Sequence, residues 1–217
     1  YSLAKDLGEI NNDHKLLATS LELHHTYTLI HDDLPAMDDD DMRRGRASSH
    51  IQFNEWKAIL AGDGLLNMSY GVLANIKSNK LGELIGLYSE LMGPKGLILG
   101  QVKDLGQENK SLDDLLKIHE LKTARLIQLA FMGSNLLSPH PLAPSICTKL
   151  GYCLGVNFQL LDDLCELTEE INLHESEINP FLHFKQDDLF KILVENTEFL
   201  KMTISQNKLN HLKEYIN

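Results

Sequence analysis

The sequence predicts an all-α chain that forms a single domain, and three observations carry that prediction. Aromatic residues make up only 6% of the 217 while leucine is abundant, a mix that favours helices over sheets. Apolar residues recur at helical spacing, as through Leu16, Leu23, Tyr27 and Ile30. The breaks between such stretches are short clusters of glycine and proline, which punctuate helices. With 43% hydrophobic and 24% charged residues, the chain can bury a sizeable core and falls outside the disordered class.

The first helix places Leu16, Leu23, Tyr27 and Ile30 on one face and His25, Thr28 and Asp32 on another. Pro35 limits it, because proline lacks a donor and disfavours helical geometry in the residue before it. Ser48 or Ser49 can cap a second helix, running through Trp56, Leu60, Leu65, Leu66 and Val72 to about Ile76. Asp63, in the stretch LAGDGLL of that helix, reads as core packing. From Leu81 to Leu105 the helical pattern continues across a kink at Gly93-Pro94-Lys95-Gly96, a break that lacks the P-loop pattern. Ser111-Leu112-Asp113-Asp114 is close to a capping box, with Asp in place of Glu, and starts a helix to about Leu137. Three prolines between 138 and 144 make a loop that joins helices rather than domains. A helix returns from about 145 to 168, and two more are expected over about 180–195 and 198–215.

The densest chemistry lies at the end of the first helix, where Asp32, Asp33, Asp38, Asp39, Asp40 and Asp41 crowd ten residues and Arg43, Arg44 and Arg46 follow. Like charges at contact disfavour joint ionisation, and the helix C-terminus adds partial negative charge. Both effects call for a cation. Magnesium typically bridges one or two carboxylates to a substrate phosphate, and guanidinium groups match phosphate oxygens bidentately. Taken alone, such a run is as readily a solvated acidic loop. A second cluster changes the balance: Asp162, Asp163 and Glu166 fall near one helical face in the apolar stretch after Phe158, where acids are costly unless paired or metal-bound. His24, His25 and His31 invite a transition-metal reading, but zinc prefers compact N and S ligands and the neighbours here are hard oxygens.

The order HDDLPAMDDDDMRRGR, LAGDGLL, GQVKDL, HELKTARLI and FQLLDDLCE, from about Leu16 to Glu166, resembles the trans-polyprenyl diphosphate synthases, and most closely the bacterial farnesyl diphosphate synthases. The resemblance implies an isoprenoid-synthase-type helical bundle around a central cavity, with the two aspartate-rich motifs facing each other. It implies that Asp32, Asp33 and Asp38, with Asp162, Asp163 and Glu166, hold magnesium, three ions per active site. Arg43 and Lys122 would then sit beside the allylic diphosphate, and Arg44 and His25 would hold isopentenyl diphosphate, with Thr123 and Gln159 as further substrate contacts. It also implies a chain-length floor at Tyr27, with Thr28 secondary, and a homodimer. The expected reaction ionises dimethylallyl or geranyl diphosphate and condenses the allylic cation head-to-tail with isopentenyl diphosphate to farnesyl diphosphate. A geranyl or geranylgeranyl diphosphate synthase is the near alternative.

Two departures stand against that pattern. The family's Gly-Gly-Lys-Arg segment and its Lys-bearing loop after the second motif are absent from these residues, and Glu166 replaces an aspartate. They favour, as the alternative of another class, a catalytically weak regulatory subunit, which the complete first motif with Arg43 and Arg44 opposes. The chain begins at Tyr1 without a methionine, so residues 1–217 are expected to be the covered part of a longer polyprenyl synthase domain. A net charge of −11 argues against a nucleic-acid partner. Cys147, Cys153 and Cys165 fit neither a zinc pattern nor a closed disulfide set and are expected to be reduced, buried and cytoplasmic. No apolar run approaches the ~18 residues of a membrane span.

Overall fold

A computed structural model describes residues 1–106, 111–167 and 179–214. They are helical apart from one short antiparallel ribbon, and they form two compact units, one of residues 10–85 and one of residues 1–9 with those from 86 onward. The chain opens with α1 (Ser2–Asp6), part of the larger unit, and enters the smaller one through α2 (Asn12–Asp32).

Helix α2 ends at Asp32, where Pro35 three residues on requires it to stop, and Asp33 is its C-cap. The face it buries differs from the expected one. His14, Leu17, Ser20, His24 and Tyr27 are buried, whereas Leu16, Leu23 and Ile30 are only half-buried. Hydrophobic period alone misplaces this face because polar groups on it find partners: Ser20 Oγ donates to the Ser69 carbonyl at 2.8 Å, which offsets the cost of burying it. The acidic loop leads to a ribbon of β1 (Met42–Arg43) and β2 (Arg46–Ala47). Its turn residues Arg44 and Gly45 have φ of 51° and 75°, the left-handed pair that a two-residue hairpin turn needs.

The single helix expected from Ser48 to Ile76 is two. Ser48 is the N-cap of α3 (Ser49–Phe53), and Asn54, at φ 104°, turns the chain into α4 (Glu55–Leu73), whose Lys57 N–H its side chain caps. Trp56 and Leu60 are each 60% exposed, and Asp63 is exposed where core packing was expected. In their stead Ala58, Gly62, Ser69 and Leu73 form the buried stripe of α4, small enough to let α2 approach closely. The Asp13 carboxylate accepts from the Lys77 and Ser78 N–H groups at 3.0 and 2.9 Å, tying the start of α2 to the chain beyond α4.

Helix α5 (Leu81–Met92) leads to α6 (Leu97–Leu105), with the break at 93–96 where glycine and proline predict it. Ser111 caps α7 (Leu112–His119) by accepting from the Asp114 N–H. The run to Leu137 is continuous but contains one π-helical turn, Glu120–Ala124, before α8 (Arg125–Leu137). A wide turn of this kind carries no hydrophobic signature. Beyond the proline-rich loop come α9 (Pro144–Glu166), α10 (Pro180–His183), α11 (Gln186–Gln206) and α12 (Asn210–Lys213). The break expected between residues 195 and 198 is absent. Asn157 of α9 donates to the Leu193 carbonyl and to Thr197, and accepts from Asn196 at 2.9 Å, so these polar residues are helical contacts. The expected departure from the family loop falls on residues 168–178 and lies outside the described residues.

Two apolar clusters fill the larger unit. One joins Leu3 and Leu7 to Phe131, Cys147, Leu150, Cys153, Leu200 and Leu212; the other gathers Leu115, Ala124, Val156, Leu160, Phe181 and Leu189. Asp6 accepts from the His211 and Leu212 N–H groups, each at 2.9 Å, so the first helix caps the last. Cys147 and Cys153 are buried as expected, but Cys165 is exposed, because it shares the outer face of α9 with Asp162. No described helix is long and apolar enough to cross a membrane.

Candidate active site

The acidic loop folds back on the end of α2. The Asp38 N–H donates to the Asp32 carbonyl at 2.9 Å, and those of Met37 and Asp39 donate to Leu34, so half-buried Asp32 and exposed Asp38 share one turn. Their neighbour Asp33 is only 2% exposed. Its carboxylate accepts from Arg43 through Nη2 and, at 2.8 Å, through Nε, and Arg43 also reaches Asp40 at 3.1 Å. Arg43 is thus held by the motif it follows. The three residues expected to act alike divide into Asp32 and Asp38 on the turn and Asp33 inside an ion pair.

A cavity of about 300 Å³ opens beside this pair, lined by Arg43, Arg44 and Arg46 of the ribbon, by Ser48 and Ser49, by Glu22, Thr26, Leu29 and Ile30 of α2, and by Asp33. Three guanidinium groups against the carboxylates of Glu22 and Asp33 leave the lining net positive, and with Leu29 and Ile30 it suits an oxyanion with an organic tail. Half-buried His25 lies near it. Burial lowers its pKa, Glu22 raises it, and the positive charges of Arg44 and Arg43 lower it further, with a net downward shift. Arg46, expected among the three arginines but given no role of its own, is brought opposite Arg43 by the turn of Arg44 and Gly45.

Tyr27 is 8% exposed and stands between two imidazoles, with its ring edge-on to His24 at 4.6 Å and to His31 at 5.7 Å between centroids. Thr28 turns its hydroxyl onto the His25 carbonyl at 2.8 Å. Burial, with the charge of His25, lowers the His24 pKa to about 4, so His24 is neutral at pH 7. Of the three histidines read as candidate transition-metal ligands, His24 and His31 pack against a tyrosine and His25 stands near the arginines instead.

In the larger unit three of the motifs meet. The π-helical turn carries Lys122, whose Nζ pairs with Asp104 of GQVKDL at 2.6 Å. Gly100 allows that approach, since a Cβ there would lie 2.4 Å from the Lys122 nitrogen. Thr123 donates to Gln159 at 2.8 Å, and Gln159 donates to Asp163 at 3.0 Å. Asp162 and Glu166 are exposed on α9, with Glu166 also accepting from Asn179. Asp163 is 7% exposed, and burial raises its pKa to about 7, with the Gln159 bond opposing and the charges of Glu166, Asp162 and Asp104 adding. His119 approaches it at 3.6 Å. That is too long for a hydrogen bond, and burial lowers the His119 pKa to about 4, so the contact is not an ion pair.

The donor chemistry fits magnesium, since the accessible carboxylates Asp32, Asp38, Asp162 and Glu166 are all hard oxygens. Among the described residues no three His, Cys, Asp or Glu side chains converge closely enough to hold a metal ion by themselves. The Lys122–Asp104 pair escaped the sequence, where nothing relates residues 18 apart. The GQVKDL and HELKTARLI motifs were visible, but not that they touch.

Known proteins resemble this chain in sequence and in fold. The polyprenyl synthetase family model matches residues 2–175. The farnesyl diphosphate synthase of Buchnera aphidicola is 35% identical over 93% of this chain and 76% of its own length; that of Bacillus subtilis is 38% identical over 74% of this chain and 57% of its own. The chain spans 54% to 76% of the length of the bacterial farnesyl diphosphate synthases it matches. A geranyltransferase of Helicobacter pylori, solved with magnesium and isoprenyl diphosphate, superposes with a TM-score of 0.82 at 27% identity, over 98% of this chain and 80% of that one. With its isoprenoid-synthase fold and a family model that spans most of its length, the chain belongs to the polyprenyl synthetase family.

Proposed function

We propose that the protein is a magnesium-dependent prenyltransferase that condenses dimethylallyl or geranyl diphosphate head-to-tail with isopentenyl diphosphate to give farnesyl diphosphate. The observation that carries the proposal is the cavity lined by Arg43, Arg44 and Arg46 beside the turn that presents Asp32 and Asp38. An anion site and a hard-cation site adjoin within one unit. Asp32 and Asp38 on that turn, and Asp162 and Glu166 on α9, would hold the magnesium ions; Asp33 and Asp163 would support them from inside. Magnesium, when bound, neutralises charge developing on the diphosphate leaving group.

The chain's own groups do the rest. Arg43, fixed by Asp33, and Lys122, fixed by Asp104, would hold the allylic diphosphate and stabilise its departing charge from preset positions. Arg44 and His25 would bind the diphosphate of isopentenyl diphosphate, with a neutral His25 donating one ring N–H. Thr123 and Gln159, already bonded to each other, would orient the substrate end of α9. The apolar stripe Phe53, Trp56, Leu60 and Met68, each more than half exposed on α3 and α4, supports the homodimer, since exposed patches of this kind mark association surfaces. The buried free thiols of Cys147 and Cys153 suit a reducing compartment, here the cytoplasm.

The test is incubation of the full-length protein with magnesium, isopentenyl diphosphate and either allylic substrate, followed by chromatography of the dephosphorylated alcohols. A fifteen-carbon product is expected. Tyr27, about 7 Å along α2 from Asp32 at the helical rise, is placed to limit growth, so Tyr27→Ala should yield longer products. No product from any substrate pair would overturn the prenyltransferase assignment, and an unchanged product from Tyr27→Ala would remove Tyr27 as the floor.

A further inference from the structure

His31 precedes the two aspartates, and its side chain does not face the acidic loop. It lies across α4: Nε2 is 3.0 Å from the Ile59 carbonyl, which can only accept, so this nitrogen carries the proton. The ring rests on Gly62. A Cβ at that position would lie 2.1 Å from Nε2, 2.3 Å from Cδ2 and 2.8 Å from Cε1, and these three imidazole atoms are the nearest it would meet. The ring is thus the first thing a side chain at residue 62 would strike. The opposite flank of His31 meets the edge of Tyr27, and its own carbonyl accepts from the Leu34 N–H at the start of the acidic turn.

We propose that Gly62 forms a seat for the His31 imidazole, and that this seat makes His31 a positioning residue which sets where α2 delivers Asp32 and Asp38 to their cation. The proposal rests on the prenyltransferase reading. The last turn of α2 has partners for its carbonyls only in the acidic loop itself, where six carboxylates from Asp32 to Asp41 repel one another. A ring wedged between the two helices, bonded to one and continuous with the other, fixes the rotation of that turn. One glycine in LAGDGLL would then be chosen for the width of an imidazole. Ile59 accepts a second donor without losing its helical bond, since a carbonyl has two lone pairs.

The test uses four variants of the full-length protein: His31→Gln, His31→Asn, His31→Ala and Gly62→Ala. Two quantities are read, the rise in melting temperature caused by magnesium plus inorganic pyrophosphate, and the magnesium concentration for half-maximal turnover. The Gln amide nitrogen reaches about as far as Nε2 and should restore the bond to Ile59, whereas the shorter Asn cannot. His31→Gln is therefore expected to stay within about threefold of wild type in half-saturating magnesium, and His31→Asn, His31→Ala and Gly62→Ala to need about tenfold more, with a smaller thermal shift. Gly62→Ala added to His31→Ala should change nothing further, because the methyl then fills vacated space. Equal behaviour of His31→Gln and His31→Asn, or an additive double variant, would overturn the proposal. If wild type itself shows neither a thermal shift with magnesium and pyrophosphate nor turnover, the prenyltransferase reading is what fails.

Discussion

The two acidic motifs share a sequence pattern, but their inner aspartates are kept in opposite ways. At the end of α2, Asp33 is buried against a guanidinium that is always charged, and the pair holds Arg43 in place. At the end of α9, Asp163 is buried against the neutral amide of Gln159 and a neutral His119, and its pKa rises to about 7. In both pairs the other member, Asp32 or Asp162, is the more accessible one. A buried charge needs a partner or gives up its charge, and the two motifs use one solution each. An Asp-Asp dipeptide at a helix end is therefore a division between an accessible carboxylate and a buried one, rather than two equal ligands.

The largest expected effect comes from the outer members. Asp32→Ala and Asp162→Ala should each lower turnover on the order of 10³-fold, as loss of a group acting on transition-state charge does, while urea unfolding leaves stability near wild type. Should either variant keep normal activity, that aspartate does not act on the diphosphate and the division fails at that motif.

A smaller contrast separates the inner members. Asp33→Asn leaves Arg43 without its buried counter-charge and should cost about 1–3 kcal/mol of stability, below the range for a fully buried pair because Arg43 is about one third exposed. Asp163→Asn keeps a carbonyl oxygen for Gln159 and removes a group that resists ionisation, so its change should stay under ~1 kcal/mol. Urea midpoints in metal-free buffer give both numbers. Equal losses would mean that charge plays no part in the difference.

Much of this was legible in the sequence, for reasons that can be named. Helix ends were readable where local chemistry sets them: Pro35 stops α2, Ser111 starts α7 and glycine with proline splits α5 from α6. The α3–α4 break was missed because it depends on one left-handed residue, Asn54, which no periodicity marks. Motif order named candidate residues, but not that Asp33 faces Arg43 or that Lys122 faces Asp104, since such pairings follow from the path of the chain. The buried face of α2 was misread for a related reason: His24 and Ser20 count as polar in any pattern, yet both are buried, Ser20 bonded to Ser69 of α4 and His24 against Tyr27.

The smallest and sharpest contrast is in acid. His24, in the smaller unit, has its pKa lowered from 6.5 to about 4, chiefly by burial. The unfolded chain therefore takes up this proton first as pH falls below 6.5, and stability is lost progressively until both states are protonated below about pH 4, costing about 2 kcal/mol by pH 5. His25 shifts in the same direction. His119 imposes a like loss on the larger unit, but Asp163 opposes it there. Its folded pKa of about 7 lies above the ordinary 3.8, so the native state binds its proton first and gains stability between pH 7 and about 4, again by about 2 kcal/mol at pH 5. The smaller unit has no such offset among these shifted groups. Hydrogen exchange in metal-free buffer, corrected for intrinsic rates, should show amides of α2 and α4 losing about 30-fold in protection from pH 7 to 5, while those of α8 and α9 change little. Asp163→Asn should remove the offset and make α8 and α9 acid-sensitive as well. Parallel loss in both units of the wild type would show that Asp163 does not take up its proton ahead of the unfolded chain, and that the two buried aspartates are held alike.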